Sequence, residues 1–150
     1  MKIIPYIIGS GKASQAILES LHVLSLAQSA ISIAPHVQVK RGAPLKSYLK
    51  AGDGIPVLFI ANPHALHADA ILEGEAAGFQ LIISEKPSAV TKEQIEKLRQ
   101  VKVPVAVCHV YRQTWGIQTL KEMIEKGDFG DLISLEGRYW QSSAAHSMLS

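Results

Sequence analysis

Short apolar runs alternate with stretches of helical periodicity along most of the chain. Ile3 to Ile8 is almost wholly apolar and runs into Gly9-Ser10-Gly11-Lys12-Ala13-Ser14, after which Ala13, Ala16, Ile17, Leu21 and Leu24 recur at helical spacing. Ala30 to Ala34 predicts a second strand, and the interval from Pro35 to Pro56 has room for one short helix, around Leu45 to Lys50. Val57 to Ala61 is an apolar run of the kind buried on both faces of a sheet. Asn62-Pro63 breaks it, with Pro63 preset for a helix start. Ala68, Ile71, Leu72 and Ala76 then share one helical face, and Gly78 stands where a C-cap glycine ends a helix. Leu81 to Ser84 is the next predicted buried strand, closed by Glu85-Lys86-Pro87.

Further on, Thr91 and Gln94 match a capping box, and Ile95 and Leu98 supply that helix with its apolar stripe. Val103 to Val107 reads as another buried strand, leaving through Cys108-His109-Val110-Tyr111-Arg112. Ile117, Leu120 and Ile124 mark a helix stopped by Gly127. From Leu132 the period changes to two. Ile133, Leu135, Gly137 and Tyr139 fall on one face and Ser134, Glu136 and Arg138 on the other, which predicts a half-buried strand of antiparallel type.

Strand, helix, strand in this order predicts parallel pairing, with the polar turns gathered at the carboxyl ends of the strands, the edge where open α/β sheets bind ligands. The fold class expected is α/β, a Rossmann-like doubly wound parallel sheet with helices on both faces over residues 1–112. Residues 113–150 would hold the first helix and strand of a second, α+β domain. The unfinished strand from Leu132 to Trp140 would be an open edge, so homo-oligomerisation through it is expected.

Composition narrows the function. With 150 residues, 47% hydrophobic and 19% charged, the chain suits a globular core rather than disorder. A net charge of +2 gives no argument for nucleic acid or a membrane surface, and no stretch has the length of a membrane span. The opening MKIIPYII meets a glycine turn without a cleavage region, so it does not read as a signal peptide, and the cytoplasm is the default location. Cys108 is the single cysteine, and His22 and His146 have no partner at metal-ligand spacing, so no metal site is expected.

The glycine turn is the chemical signal. A strand before it and a helix after it are the required context for a dinucleotide-binding turn. The first glycine allows the tight turn, the second lets a pyrophosphate approach the backbone, and the helix start favours negative charge. Ser14 replaces the third glycine of G-x-G-x-x-G. The second strand should end near an acidic residue that binds the adenosine ribose. Here Pro35-His36 stands there, Lys40-Arg41 follows, and no Asp or Glu occurs between Glu19 and Asp53. Either His36, Lys40 or Arg41 faces a 2′-phosphate, which would favour NADP, or the segment is a solvated basic loop. The shortened second half-unit implies an abbreviated adenine side.

ANPHALHADAI, SEKPSA and VYR, in that order after the glycine turn, resemble the Gfo/Idh/MocA family of NAD(P)-dependent oxidoreductases, relatives of glucose–fructose oxidoreductase and inositol dehydrogenase. KEMIEKGDFGDLISLEGRYW resembles the family's passage into its second domain, so the likeness spans essentially the whole chain. The resemblance implies a nicotinamide dinucleotide, NAD or NADP, and a small-molecule substrate. Gly9, Ser10, Gly11, Lys12 and Ala13 would hold the pyrophosphate. Ala61, Asn62, Pro63 and His67 would line the cofactor beside the nicotinamide ribose. Glu85 and Lys86 would sit near the nicotinamide ring, with Lys86 beside the substrate oxygen as the catalytic group, and Arg112 near the cofactor at the domain junction. On residue chemistry alone, Lys86 is also an ordinary solvated lysine after a strand. His67 is also a local hydrogen-bonding residue, His64 a cap, and His109 either a substrate contact or structural.

The resemblance carries two departures. The ribose acid is missing, and so is the D-x-x-x-H-like pair whose histidine serves as general acid/base in the second domain. The expectation is therefore a fragment or truncated form, binding cofactor but turning over little. An oxidoreductase of small polyols, sugars or related hydroxy compounds is the first reading. The alternative is a non-catalytic dinucleotide- or ligand-binding regulatory protein that kept the fold.

Overall fold

The structure, a computed structural model, describes residues 1–27, 30–49 and 52–138. Each apolar run before Val110 contributes to one parallel sheet. Its strands are β1 (Lys2–Ile8), β2 (Ser32–Ile33), β3 (Val37–Val39), β4 (Ile55–Ile60), β5 (Leu81–Ser84) and β6 (Val105–Val107). The order is β2-β1-β4-β5-β6, with β3 also paired to β1. Between them run helices α1 (Lys12–Leu26), α2 (His67–Ala77) and α3 (Lys92–Leu98). The chain divides into two compact units, Met1–His109 and a second beginning at Val110 that holds α4 (Trp115–Lys126). Among the described residues no helix is long and apolar enough to cross a membrane.

Alternation along the strands sorts the core to the two faces. Tyr6, Leu58, Ile60 and Ile82 pack with Ile71 and Phe79 on one side, where Tyr6 and Phe79 meet edge to face at 5.2 Å. Ile7, Val57 and Phe59 pack with Leu21 of α1 on the other. Being covered on both sides is why β4 reads as an unbroken apolar run. Gly78 closes α2 with φ 101°, the left-handed cap foreseen for it. Gln94 donates its backbone N–H to the Thr91 hydroxyl at 3.2 Å, as in the expected capping box, but its side chain accepts at 2.8 Å from the N–H of Val90, one residue before the cap, rather than from Thr91.

The second strand departs from expectation. It is two pieces of one strand: β1 pairs Ile3 with Ile33, then Tyr6 with Val37. Ile4 and Pro5 of β1 thus lie beside Ala34, Pro35 and His36, one residue more, which is a bulge. Pro35 has no N–H to give the ladder, and the sequence predicts a strand that stops at Ala34, but the strand resumes and ends at Val39. The residue that follows the strand is therefore Lys40, and His36 lies exposed in the bulge. The helix foreseen around Leu45 is a single turn, Leu45–Ser47, and Lys50 lies outside the described residues.

Other expectations are corrected in burial. Among the described residues β6 borders β5 alone, and Val105 is exposed rather than buried. Ile95 is exposed too, and Leu98 is what α3 packs on the core. Residues 132–138 form no strand, with Leu132, Ile133 and Leu135 exposed. A lone strand has no ladder to join, and the described residues offer it none. Tyr139, Trp140 and His146, and with them the expected adhesive edge, lie outside the described residues.

Candidate functional site

The strand order reverses beside β1: β2 and β3 lie to one side, β4 and β5 to the other. Such a switch point leaves a crevice at the carboxyl ends of the strands. The turns there continue the ladder beyond the strands. Ala61 donates to the Ile8 carbonyl at 2.8 Å, Glu85 to that of Ile60 at 2.8 Å, and Cys108 to that of Ser84 at 2.9 Å. The glycine, asparagine and Glu85-Lys86-Pro87 turns are thereby fixed in a row along one rim.

Gly9 is required where it stands. Its φ is 114°, and a Cβ there would penetrate the backbone carbonyl of Ala61 and come within 2.9 Å of Ser14 Oγ. Gly11 is different: a Cβ on it would meet no protein atom within 4 Å, so its surface faces open space. Gly11 caps α1 without any side-chain hydrogen bond, and no acidic residue occupies the helix's first turn. The free N–H groups and the positive end of the dipole are left for an anion. Ser14 is buried at the place of the third glycine, small enough to let α1 lie close.

A residue missed in the sequence braces this turn. Gln38 of β3 donates its side-chain amide to the carbonyls of Ile7 at 3.0 Å and Gly9 at 2.9 Å. Nothing in the sequence marks it, because its position depends on the bulge that carries the strand on past Pro35. Beyond it, Ala43 N–H closes a turn onto the Lys40 carbonyl at 3.2 Å, with Gly42 at φ 78°. The Tyr48 hydroxyl accepts from Lys40 N–H at 3.0 Å, and Glu73 Oε1 accepts from Leu45 N–H at 2.7 Å.

These turns enclose a cleft of about 970 Å³, at the upper end of the size range for small-molecule sites. Of the expected residues, Gly9, Ser10, Gly11, Ala61, Asn62 and Pro63 line it, as do Lys40 and Arg41. Gln38, Leu66, Asp69 and Glu73 also line it and were not foreseen. Lys12 and Ala13 open α1 without lining it, and His36 stands apart from it. Glu85 and Lys86 follow β5, the next strand along the rim, outside the lining; the Lys86–Pro87 bond is cis. Arg112 belongs to the second unit, where its carbonyl accepts from the Gln118 side chain.

His67 does not face the cleft. It is fully buried at the start of α2, with Nε2 2.7 Å from the Asn62 carbonyl and Nδ1 2.8 Å from that of Pro87. It joins two turns of the rim from beneath. Two buried side-chain oxygens at the rim, Ser14 Oγ and Asn62 Oδ1, have no hydrogen-bond partner, a rare condition in a folded chain. Burial pushes the Cys108 thiol above the usual 9.0, and the charge and hydrogen bonding of Glu85 raise it further. Among the described residues no group of three or more His, Cys, Asp or Glu side chains could hold a metal ion.

No protein-family model matches the chain. It is 34% identical over 95 residues to levoglucosan dehydrogenase of Pseudarthrobacter phenanthrenivorans, a stretch that is 61% of this chain and 24% of that protein. Its fold is that of yvaA of Bacillus subtilis, described as an oxidoreductase, with TM-score 0.64, 18% identity and coverage of 92% of this chain and 47% of that one. The WlbA (WbpB) dehydrogenase of Thermus thermophilus, solved with NAD and UDP-GlcNAcA, gives TM-score 0.62, 19% identity and coverage of 83% and 47%. The chain thus spans about a quarter of the curated relative and about half of each solved chain. The fold is thus one shared with these two solved oxidoreductases, and the glycine turn, the Asn62 turn and Glu85-Lys86-Pro87 follow successive strands of its parallel sheet, as in the resemblance drawn from the sequence.

Proposed function

We propose that this chain is the dinucleotide-binding part of an NAD(P)-dependent oxidoreductase acting on a small polyol, sugar or related hydroxy compound. The observation that carries the reading is the cleft at the strand-order reversal, walled by a glycine turn whose first glycine has no room for a side chain and whose second faces open space. The open N-terminus of α1 suits a pyrophosphate, with Gly9, Ser10 and Gly11 presenting backbone to it. The name of the curated relative, levoglucosan dehydrogenase, supports a substrate of sugar type.

Bound in this cleft, a nicotinamide would supply the hydride exchange. The chain's own part is positional and electrostatic. Lys86 is exposed at the rim. An ammonium fixed there stabilises negative charge growing on a substrate oxygen. Lys86 is the catalytic group in this reading, with Glu85 beside it and His67 holding the turn that carries both.

Titration of the chain with NADH and NADPH, followed by nicotinamide fluorescence, tests the reading. Saturable binding of at least one, with a dissociation constant below about 1 mM, is the expected result. Binding of neither would overturn it.

A further inference from the structure

We infer that the turn Lys40-Arg41-Gly42-Ala43 is a phosphomonoester site, and that it selects the dinucleotide carrying a 2′-phosphate. The inference rests on the dinucleotide reading above and concerns which dinucleotide is taken.

The bulge is what brings the turn to the site. Had the strand ended at Pro35, the basic pair would have belonged to a remote loop. Because β3 carries the strand on to Val39, which pairs with Ile8, Lys40 follows directly beside Gly9. In this class of sheet that position meets the adenosine ribose, and an acid there accepts from its 2′-hydroxyl. Here Lys40 and Arg41 hold it, and both line the cleft. The nearest acids in sequence, Glu19 and Asp53, belong to other parts of the chain.

The turn is also built rather than loose. Lys40 N–H is held by the Tyr48 hydroxyl, Lys40 C=O by Ala43 N–H, and Leu45 N–H by Glu73. Gln38 ties the same segment to the glycine turn through the Gly9 carbonyl. Among the described residues, the charged groups lining the cleft are Lys40, Arg41, Asp69 and Glu73. Of the two acids, Glu73 is engaged by the Leu45 backbone, and both stand on α2 rather than on the turn. A guanidinium and an ammonium side by side on a fixed turn suit a dianionic phosphate, and the guanidinium can bind it through two parallel N–H groups.

The test compares NADPH and NADH on the whole chain, on Lys40→Ser/Arg41→Ser, and on Arg41→Asp. Both side chains are exposed, so the variants should keep their far-UV circular dichroism and urea midpoint. The chain as it stands should bind NADPH at least about tenfold tighter than NADH. The double variant should lose that preference while its NADH affinity stays within about twofold, and Arg41→Asp should turn the preference toward NADH. Equal or tighter binding of NADH by the unaltered chain overturns this inference and leaves the dinucleotide reading standing. A preference for NADPH that survives the double variant also overturns it, since the phosphate would then be held elsewhere. Binding of neither overturns the dinucleotide reading itself, and this inference with it.

Discussion

His67 Nε2 lies 2.7 Å from the carbonyl oxygen of Asn62, while the opposite ring nitrogen lies 2.8 Å from the carbonyl of Pro87. One fully buried ring therefore spans the turns that follow β4 and β5. A neutral imidazole has one N–H to offer and so donates to one carbonyl at a time, whereas the doubly protonated ring donates to both. Replacing the ring leaves carbonyl oxygens and a void behind. His67→Ala should cost roughly 2–4 kcal/mol in urea unfolding, and NAD(P)H affinity should fall with it because Asn62 is freed. An unchanged urea midpoint would mean that the two turns hold without the ring.

The two glycines of the turn should fail in different ways. At Gly9 the left-handed φ and the Ala61 carbonyl both oppose a side chain, so Gly9→Ala should lower stability by about 2 kcal/mol or more. Gly11 has φ −87° and open space around it, so Gly11→Ala should keep stability within about 0.5 kcal/mol. The methyl would stand where a dinucleotide backbone approaches, so affinity should drop by about tenfold or more. Urea melts and NAD(P)H titrations of both variants check this. Loss of stability in Gly11→Ala would show that its surface packs against protein.

Much of this was legible in the sequence because it depends on local rules. Apolar runs, helix periodicity, the Gly78 cap and the Thr91 cap each need only neighbouring residues, and each forms. The glycine and Asn62 turns could be placed on one rim because parallel strands with helical crossovers leave no other arrangement. What was not legible depends on residues far apart. Pro35 looks like a terminator until the β1 register shows the strand resuming, and Gln38 and the Lys40 turn follow from that. His67 reads either as a cofactor-lining residue or as a local hydrogen-bonding one, and the carbonyls of Asn62 and Pro87 decide for the second, the distant partner Pro87 being what the sequence does not show. Val105, Ile95 and Ile133 are apolar without being covered, since periodicity reports a face and not what lies against it.

Gly74 decides how closely α2 lies on the sheet. A Cβ there would come within 2.7 Å of Leu58 Cδ2 and 3.0 Å of Ile82 Cδ1, two side chains that are themselves fully buried. Alanine in mid-helix normally gains about 1 kcal/mol over glycine. Overpacking a tight core costs about 1–3 kcal/mol, so Gly74→Ala should be destabilising by up to about 2 kcal/mol on balance. Leu58→Val shortens the side chain that the new methyl would strike. The double variant should therefore be more stable than the sum of the single effects predicts, a coupling that a double-mutant cycle in urea measures. Strict additivity would show that the helix moves away from the sheet instead.

Cys108 gives a chemical reading of the same rim. Its thiol is raised above 9.0 first by burial and then by the charge and hydrogen bonding of Glu85. Because the thiolate is the nucleophile, alkylation by iodoacetamide at pH 8 should be slower than for a free thiol, and its rate should keep climbing above pH 9. Glu85→Gln removes the carboxylate charge but leaves the burial, so it should speed alkylation at pH 8 only in part. The sign for stability follows from proton binding. A folded-state value above the unfolded one means that the native chain holds this proton more tightly. Its contribution is therefore whole below about pH 9 and is lost as pH rises through the folded value. Urea midpoints at pH 8 and pH 10 should differ more for the unaltered chain than for Cys108→Ala. An equal difference in the two would assign the alkaline loss to other groups and remove Cys108 from the account of this rim.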